Sequence, residues 1–166
     1  LVVAVALSLP RGRGSAEVSG RRAIVVLPFE NLGPTEDRFF AHGMAEEISS
    51  RLGVIQELGV ISRTSADQLA GTGRTAKEIG DELGADYVLD GTVRWERADG
   101  GLIRVRVTPQ LVRVSDDVQV WSRTYTRNLA EIFRLQADLA REVVEELKVG
   151  LQAREMGALE ARPTED

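Results

Sequence analysis

The chemistry open to this chain is narrow, because its 166 residues include one histidine and no cysteine. His42 lies one helical turn before Glu46, and a His–carboxylate pair at that spacing is able to accept a proton in catalysis. No nucleophile is evident beside the pair, and helix spacing alone explains the proximity. The lack of cysteine excludes disulfides, thiolate catalysis and cysteine-ligated zinc, and a single histidine excludes a multi-histidine metal site. We therefore expect a non-enzymatic chain with no catalytic residue, no metal site and no cofactor.

Two further motifs suggest ligand chemistry but are better explained as loops. The segment Gly71–Lys77 (GTGRTAK) is similar to a phosphate-binding loop, yet it lacks the second glycine before the lysine and the Ser or Thr after it. Asp99, Asp116 and Asp117 offer oxygens to calcium, but a calcium loop needs several ligands at fixed spacing. We interpret the first segment as a flexible connection and the aspartates as turn residues.

Polar residues at the ends of the first two predicted strands form one candidate site. Glu30 and Asn31 follow the first strand, and Arg63 and Ser65 follow the second. Ligands bind beyond the carboxyl ends of strands in sheets with parallel strands. These four residues therefore predict a pocket for a small anionic ligand. The alternative is that Asn31 and Ser65 satisfy only turn and cap hydrogen bonds.

Arginines on a predicted hairpin form a second candidate site. Arg94, Arg104 and Arg106 project from one face of neighbouring strands if their side chains alternate. We expect Arg123 to join them and Trp121 to lie nearby. Such a face suits a nucleic acid, an acidic partner helix or a phosphorylated segment. The net charge of −5 argues against nucleic acid. The alternative is that neighbouring carboxylates balance the arginines and that helices cover part of the face.

Apolar patterns predict the strands that position these sites. Residues 22–29 form a continuous β-branched run, typical of a strand buried on both faces, and a second apolar run covers 58–61. Period-two alternation predicts strands at 87–95 and 103–108, then a third at 118–125. Asp99 and the two glycines after it predict a hairpin turn. Pro109 interrupts the second of these strands, so we expect a bulge or an edge position there.

Capping residues and apolar stripes predict four helices. The first runs from Thr35 as N-cap to Leu52, with Gly53 as the C′ residue. The second is a short helix from Ser65 to Gln68, and the third runs from the capping box of Thr75 to Leu83. The fourth runs from Asn128 to about Arg154. The last helix has an apolar stripe of Ile132, Leu135, Leu139, Val143 and Leu147. The fold class is therefore α/β, a mixed β-sheet of about five strands with helices packed on it, in the order β-α-β-α-β-β-β-α.

The amino-terminal segment has a different composition. Leu1–Leu9 is an apolar run, too short for a bilayer core that takes about 20 residues. We favour the end of a transmembrane helix; a signal peptide or a disordered end are the alternatives. The domain organisation is an apolar segment and flexible linker at 1–21, one domain at 22–154 and a polar tail at 155–166.

Several separated stretches resemble one known family. They are 24–32 (IVVLPFENL), 40–48 (FAHGMAEEI), 60–65 (VISRTS), 79–93 (IGDELGADYVLDGTV) and 129–136 (LAEIFRLQ). In this order they resemble a TolB amino-terminal-like domain over roughly residues 22–150. The resemblance implies an α/β fold with helices on a mixed sheet, and it supplies no catalytic residues. Members stand beside tetratricopeptide repeats, often after a kinase, a class III cyclase or a winged-helix regulator, with a transmembrane helix between.

The expected function follows from this resemblance and from the absence of a catalytic constellation. We expect a non-catalytic sensory or protein-interaction module of a membrane-associated bacterial signalling protein, on the periplasmic side, with a cytoplasmic location as the alternative. Its partner would be a protein, such as tetratricopeptide repeats or other domains of the same chain, and not nucleic acid. A membrane tether would run through the amino-terminal segment. The alternatives are a domain for a small anionic ligand and a free-standing periplasmic envelope protein.

Overall fold

The computed structural model describes residues 21–160, with side chains up to residue 148. The expectations for Leu1–Leu9, for the linker up to residue 20 and for the tail after residue 160 lie outside the described residues. Seven strands form one mixed sheet in the described part. They are β1 (Arg22–Val26), β2 (Glu30–Asn31), β3 (Leu58–Val60), β4 (Tyr87–Arg97), β5 (Ile103–Arg113), β6 (Val118–Ser122) and β7 (Tyr125–Asn128).

The spatial order of the strands is β3-β1-β4-β5-β6, with β2 beside β4 and β7 beside β5. β1 runs parallel to β3 and β4, and β2 runs parallel to β4. The pairs that β5 makes with β4, β6 and β7 are antiparallel. The predicted α/β class with a mixed sheet is confirmed. The sheet has seven strands, not about five, because the short β2 forms and the predicted strand at 118–125 divides into β6 and β7.

Four helices pack on the two faces of the sheet. They are α1 (Arg38–Gly53), α2 (Arg63–Leu69), α3 (Ala76–Leu83) and α4 (Ile132–Glu160). The larger apolar core joins α1 and α4 to one face, through residues such as Ile48, Leu89 and Leu139. A smaller core joins α2 and α3 to the other face, around Val25 and Val88. α1 and α4 therefore cover one face, whereas the short α2 and α3 cover only part of the other.

The predicted apolar stripe of α4 is confirmed, since all five of its side chains are buried. Full burial of an aliphatic side chain contributes roughly 1.5–3 kcal/mol, so this stripe is a main attachment of α4 to the sheet. The helix continues to Glu160, beyond the predicted end at about Arg154.

One predicted cap is confirmed in detail. The Thr75 hydroxyl accepts from the Glu78 N–H at 3.2 Å, and the Glu78 carboxylate accepts from the Thr75 N–H at 2.8 Å. Gly84 then ends α3 with a φ of 71°. This left-handed conformation is one that glycine adopts without a steric penalty.

Other predicted helix ends are wrong by a few residues. A short 3-10 turn at Thr35–Asp37 precedes α1, and Gly53 is the last helical residue rather than the C′ residue. α2 starts earlier than predicted, because Ser62 is its N-cap and accepts from the Ser65 N–H. Asn128 makes no side-chain cap bond, and a 3-10 turn separates it from α4. At the three helix starts a polar residue was a good cap by type, but another backbone position made the turn.

Pro109 lies inside β5, opposite Gly91 of β4. On its other side, β5 pairs with β7 up to Val107 and with β6 from Gln110 onward. Pro109 therefore falls in the gap between two partner strands, where a missing N–H costs no ladder bond. The bulge expected at Pro109 occurs instead between Leu111 and Val112.

Candidate functional site

Part of the sheet face on the α2 and α3 side carries a continuous polar surface, here called the open face. It consists of cross-strand pairs that run along β4 and β5, and these are Asp90–Gln110, Thr92–Thr108, Arg94–Arg106 and Glu96–Arg104. The outer strands add Ser122 opposite Gln110, Thr126 opposite Arg106 and Asn128 opposite Arg104. Directly paired residues point to the same side of a sheet, so these side chains share one face.

The open face begins where the smaller core ends. Val88 belongs to that core and is fully buried beneath α3, and Asp90 is the next residue on the same side of β4. Beyond this row, Arg94, Arg104 and Arg106 are all exposed. Alternation along the strands puts Val93, Val105 and Val107 on the other side, under α1 and α4. The same two strands thus build the main core with one face and present a polar surface with the other.

Positive charge is concentrated at the end of the open face that lies away from Asp90. Arg94 and Arg106 lie directly opposite each other, and like charges in that position are destabilising. Arg106 is partly compensated by Glu96, with 3.6 Å between Nη2 and Oε1. Arg94 and Arg104 have no ion-pair partner among the described residues. A chain with a net charge of −5 therefore keeps unpaired cations together on one uncovered surface.

A cavity of about 770 Å³ borders the acidic end of the open face. Its floor is formed by Asp90, Thr92, Thr108, Gln110 and Ser122, and the connection between α2 and α3 forms a wall. Burial raises the pKa of the Asp90 carboxyl, and a hydrogen bond with Gln110 opposes this effect. Asp90 Oδ1 has no hydrogen-bond partner within the described part of the chain. The polar floor thus includes one carboxyl that the fold does not fully satisfy.

The four residues predicted at the strand ends do not form one site. Asn31 stabilises its own turn, since its side chain accepts from the Gly33 N–H at 3.0 Å and donates to the Pro34 carbonyl at 2.7 Å. The hydroxyl of Ser65 lies 3.0 Å from that of Ser62 at the start of α2. Asn31 therefore has the turn role that was the alternative interpretation, whereas the cap of α2 is Ser62, which Ser65 contacts.

Glu30 and Arg63 line different cavities. Glu30 lies at the rim of the 770 Å³ cavity, whereas Arg63 lines a second cavity of about 570 Å³ between α1 and α2. Arg63 forms ion pairs with Glu46 of α1 and with Asp67, at 3.5 Å for the latter. His42 borders both cavities. The Glu46 carboxylate, predicted as the partner of His42, is therefore engaged by Arg63.

The arginine prediction is correct for three residues and wrong for two. Arg94, Arg104 and Arg106 do share a face. Arg123 does not join them, because its guanidinium binds Glu142 of α4 at 2.8 Å on the opposite side of the sheet. Trp121 lies opposite Leu111 and packs against the main core. The bulge in the pairing of β5 with β6 and the break before β7 were not visible in the alternation.

Sequence reasoning missed the hydroxyl and amide residues of the open face. Thr92, Thr108, Gln110 and Ser122 carry no motif of their own. The pattern that could have indicated them is the alternation of polar and apolar residues that predicted the arginines, if it is traced back from Arg94 toward the start of β4. What the alternation does not show is where α2 and α3 stop covering the sheet.

The two motifs interpreted as loops have structural roles. The Lys77 ammonium donates to the Val114 carbonyl at 3.0 Å and lies 3.2 Å from Asp81. Asp116 binds Arg113 at 2.7 Å, and this hydrogen bond lowers the pKa of the carboxyl. Among the described residues, no group of three or more His, Asp or Glu side chains is placed to hold a metal ion. Within residues 21–160, no helix has the length and apolar character needed to cross a membrane.

Comparison with known proteins relates the chain to a cyclase and to several solved structures. No family model matches the chain. A protein of Rhizobium meliloti (strain 1021), provisionally named adenylate cyclase 3, is 34% identical over 147 residues, which are 88% of this chain. The chain spans 24% of the length of that relative. The match therefore relates this chain to one segment of a longer protein.

Solved structures share the fold. TolB from Acinetobacter baumannii matches with a TM-score of 0.57 and 17% identity, over 76% of this chain and 28% of that chain. The fold is TolB-like. Lipoprotein GNA1162 from Neisseria meningitidis matches over 75% of this chain and 99% of its own, with a TM-score of 0.55 and 16% identity. A PelC dodecamer from Paraburkholderia phytofirmans gives a TM-score of 0.51 and 24% identity, over 76% of this chain and 88% of that one. At these identities the likeness concerns the fold.

Proposed function

We propose that the chain is a non-catalytic protein-interaction module of a membrane-associated bacterial signalling protein, and that its partner docks on the open face. The observation that carries this proposal is the open face itself. It is a polar, positively charged surface that the helices leave uncovered, whereas the other face of the sheet carries the main apolar core under α1 and α4. A surface that keeps two arginines directly opposite each other, with an ion pair at Arg106 only, is suited to binding rather than to folding.

Two further observations support a signalling context. The cyclase relative has about four times the length of this segment, so a module that senses or docks within a longer chain is consistent with the match. The fold is shared with TolB and with a lipoprotein, which supports a location in the envelope. The partner in this proposal is a tetratricopeptide-repeat segment or another domain of the same protein.

The proposal is tested by site-specific photocrosslinking in the whole protein in its native host. Benzoylphenylalanine replaces Thr108 at the centre of the open face, and a control protein carries it at Glu145, which is exposed on α4. We expect Thr108 to crosslink to one defined partner segment and Glu145 not to do so. Equal crosslinking from both positions, or a partner captured only from Glu145, would contradict docking on this face.

The location on the periplasmic side has its own test. The chain has no cysteine, so Thr124→Cys introduces a unique thiol into it. A membrane-impermeant maleimide should label this thiol in intact cells whose outer membrane has been permeabilised. Labelling only after lysis would place the module in the cytoplasm.

A further inference from the structure

The open face carries an anion site, and its chemistry identifies the kind of partner. Arg94 and Arg106 are cross-strand neighbours, whose backbones lie about 5 Å apart in an antiparallel ladder. Arg104 is two residues from Arg106 on the same strand, about 7 Å away along it. The three arginines thus stand close enough together for one or two carboxylates of a partner to contact them, and Glu96, opposite Arg104, is the carboxylate already among them. Arginine binds carboxylates through paired N–H donors.

Hydroxyl and amide groups border this patch. Thr92 and Thr108 form the row on one side, and Thr126 lies opposite Arg106. The Thr108 hydroxyl lies 3.2 Å from that of Thr124, so it is held by the connection between β6 and β7. Hydroxyls both donate and accept hydrogen bonds. A peptide backbone or polar side chains lying across the face would therefore find partners beside the arginines.

One carboxylate lies within the positive patch and one lies beside it. Glu96 is directly opposite Arg104 and forms an ion pair with Arg106, whereas Asp90 lies two rows from Arg94 along β4. A polyanion with evenly spaced phosphates would meet these carboxylates as well as the arginines, and the net charge of −5 would repel it. A protein segment with a few carboxylates in its middle matches the pattern better, because its charge is local.

We propose that the Arg94–Arg106 pair, with Arg104 beside it, binds the carboxylates of an acidic segment of a partner protein that lies across the open face. This proposal rests on the proposed function and names the chemistry of its partner. The repulsion between Arg94 and Arg106 in the free chain is relieved when a carboxylate lies between them. Binding of the acidic segment therefore gains free energy by removing a repulsion that destabilises the unbound chain.

The test uses the whole 166-residue chain and a fluorescein-labelled peptide of alternating Glu and Ser. A Gln–Ser peptide is the neutral control probe. Nuclear magnetic resonance at millimolar peptide should shift the guanidinium signals of Arg94, Arg104 and Arg106. The variants Arg94→Gln and Arg106→Gln should each weaken binding of the acidic peptide about tenfold. Arg134→Gln is the matched control, since Arg134 is exposed on α4 and has no ion pair among the described residues.

Thermal unfolding of the same variants excludes a folding defect. Arg94→Gln should leave the melting temperature unchanged or raise it by about 1–3 °C, because it removes a repulsive pair. Absence of binding at millimolar peptide, or equal weakening by Arg134→Gln, would overturn the proposal. Tighter binding of oligothymidine or of anionic vesicles than of the peptide would also overturn it. If one of these results were found together with a specific crosslink from Thr108, the proposed interaction function would hold. Only the acidic nature of the partner would then be wrong.

Discussion

Gly91 of β4 and Pro109 of β5 lie directly opposite each other in the ladder that builds the open face. A Cβ added at Gly91 would lie 2.6 Å from the Thr108 carbonyl oxygen and 2.8 Å from Pro109 Cα. Both atoms belong to the backbone of the neighbouring strand, which cannot rotate away as a side chain can. The side of Gly91 that faces the core is also closed by the Phe29 ring, at 3.1 Å.

Gly91→Ala should therefore destabilise the chain, lowering the free energy of unfolding by about 1–3 kcal/mol as overpacked substitutions do. Urea denaturation followed by circular dichroism measures this change. The control is Gly43→Ala on α1, where an added Cβ meets no heavy atom within 4 Å. There we expect a gain of about 0.5–1 kcal/mol from helix propensity. Equal effects at both glycines would show that β4 and β5 are not as close as described.

The alternation of β4 and β5 predicted the position of the arginines, because a period of two is a property of each strand alone. It could not predict that Arg123 would turn to α4, since that depends on where β6 ends and β7 begins. No local pattern indicates that α2 and α3 are too short to cover the cross-strand pairs of β4 and β5 beyond Val88. Such features depend on packing between distant segments, which local patterns do not record.

The strand-end site illustrates a second limit. Asn31 was a candidate because amides bind ligands, but its side chain satisfies its own turn, and the Ser65 hydroxyl contacts the Ser62 hydroxyl that caps α2. Short polar side chains next to free backbone groups form these local bonds first. The residue type alone does not separate the two roles, whereas the geometry does.

The repulsion between Arg94 and Arg106 predicts a stability change of unusual sign. Arg94→Gln removes one of two like charges that lie opposite each other, so the free energy of unfolding should rise by about 0.2–1 kcal/mol. The gain should shrink as salt is added, because screening already weakens the repulsion in the native protein. Denaturation at low and high ionic strength measures both effects.

The matched control for this prediction is Arg97→Gln. Arg97 stands on the same strand, is exposed, and lies opposite Ile103 rather than another arginine. It should change stability little at either salt concentration. A loss of stability in Arg94→Gln at low salt would mean that Arg94 has a favourable structural contact, and the repulsion argument would fail.

Asp90→Asn should stabilise the chain at neutral pH. Burial raises the pKa of Asp90, with the hydrogen bond from Gln110 acting in the other direction. When folding raises the pKa of a carboxyl, the folded state has its full stability at pH values below the unfolded pKa. That stability decreases as the pH rises through the folded pKa. The ionised carboxylate is thus a cost at pH 7, and the amide avoids that cost at nearly the same size.

The urea midpoint of Asp90→Asn should exceed that of the native chain at pH 7, and the two should converge below the ordinary pKa of 3.8. Glu30→Gln is the control, because Glu30 borders the same cavity but is exposed. It should show no such convergence. If Asp90→Asn is less stable than the native chain at pH 7, the carboxylate has a partner that compensates its burial.

Tyr125 links the sheet to α4, since its hydroxyl donates to Glu142 Oε2 at 2.8 Å. Arg123 binds the same carboxylate. Burial acts to raise the pKa of Glu142, but the hydrogen bonds from Arg123 and Tyr125 together hold it below its usual 4.5. Tyr125→Phe keeps the ring and removes the donor. It should cost about 1.5–3 kcal/mol at pH 7, the range for hydrogen bonds to charged groups.

This cost has a defined pH dependence. A carboxylate with a lowered folded pKa contributes stability above the unfolded pKa, and that stability is lost as pH falls through the folded value. The difference in stability between the native chain and Tyr125→Phe should therefore be constant from about pH 5 to about pH 9 and shrink below about 4.5. Burial, more than the bond to Glu142, raises the pKa of Tyr125. The native chain should then also lose stability above pH 10, where the unfolded phenol ionises, and the variant should not.

Tyr87→Phe separates these effects from the loss of any tyrosine hydroxyl. The Tyr87 hydroxyl accepts from the Arg22 guanidinium at 2.5 Å, and this cation keeps its charge throughout the acidic range. The cost of Tyr87→Phe should therefore be the same at pH 7 and pH 3. If the cost of Tyr125→Phe is equally constant, Glu142 is not the carboxylate that receives the Tyr125 bond. The attachment of α4 at this point would then depend on apolar packing around Leu135 and Leu139 and on the ion pair of Arg123 with Glu142.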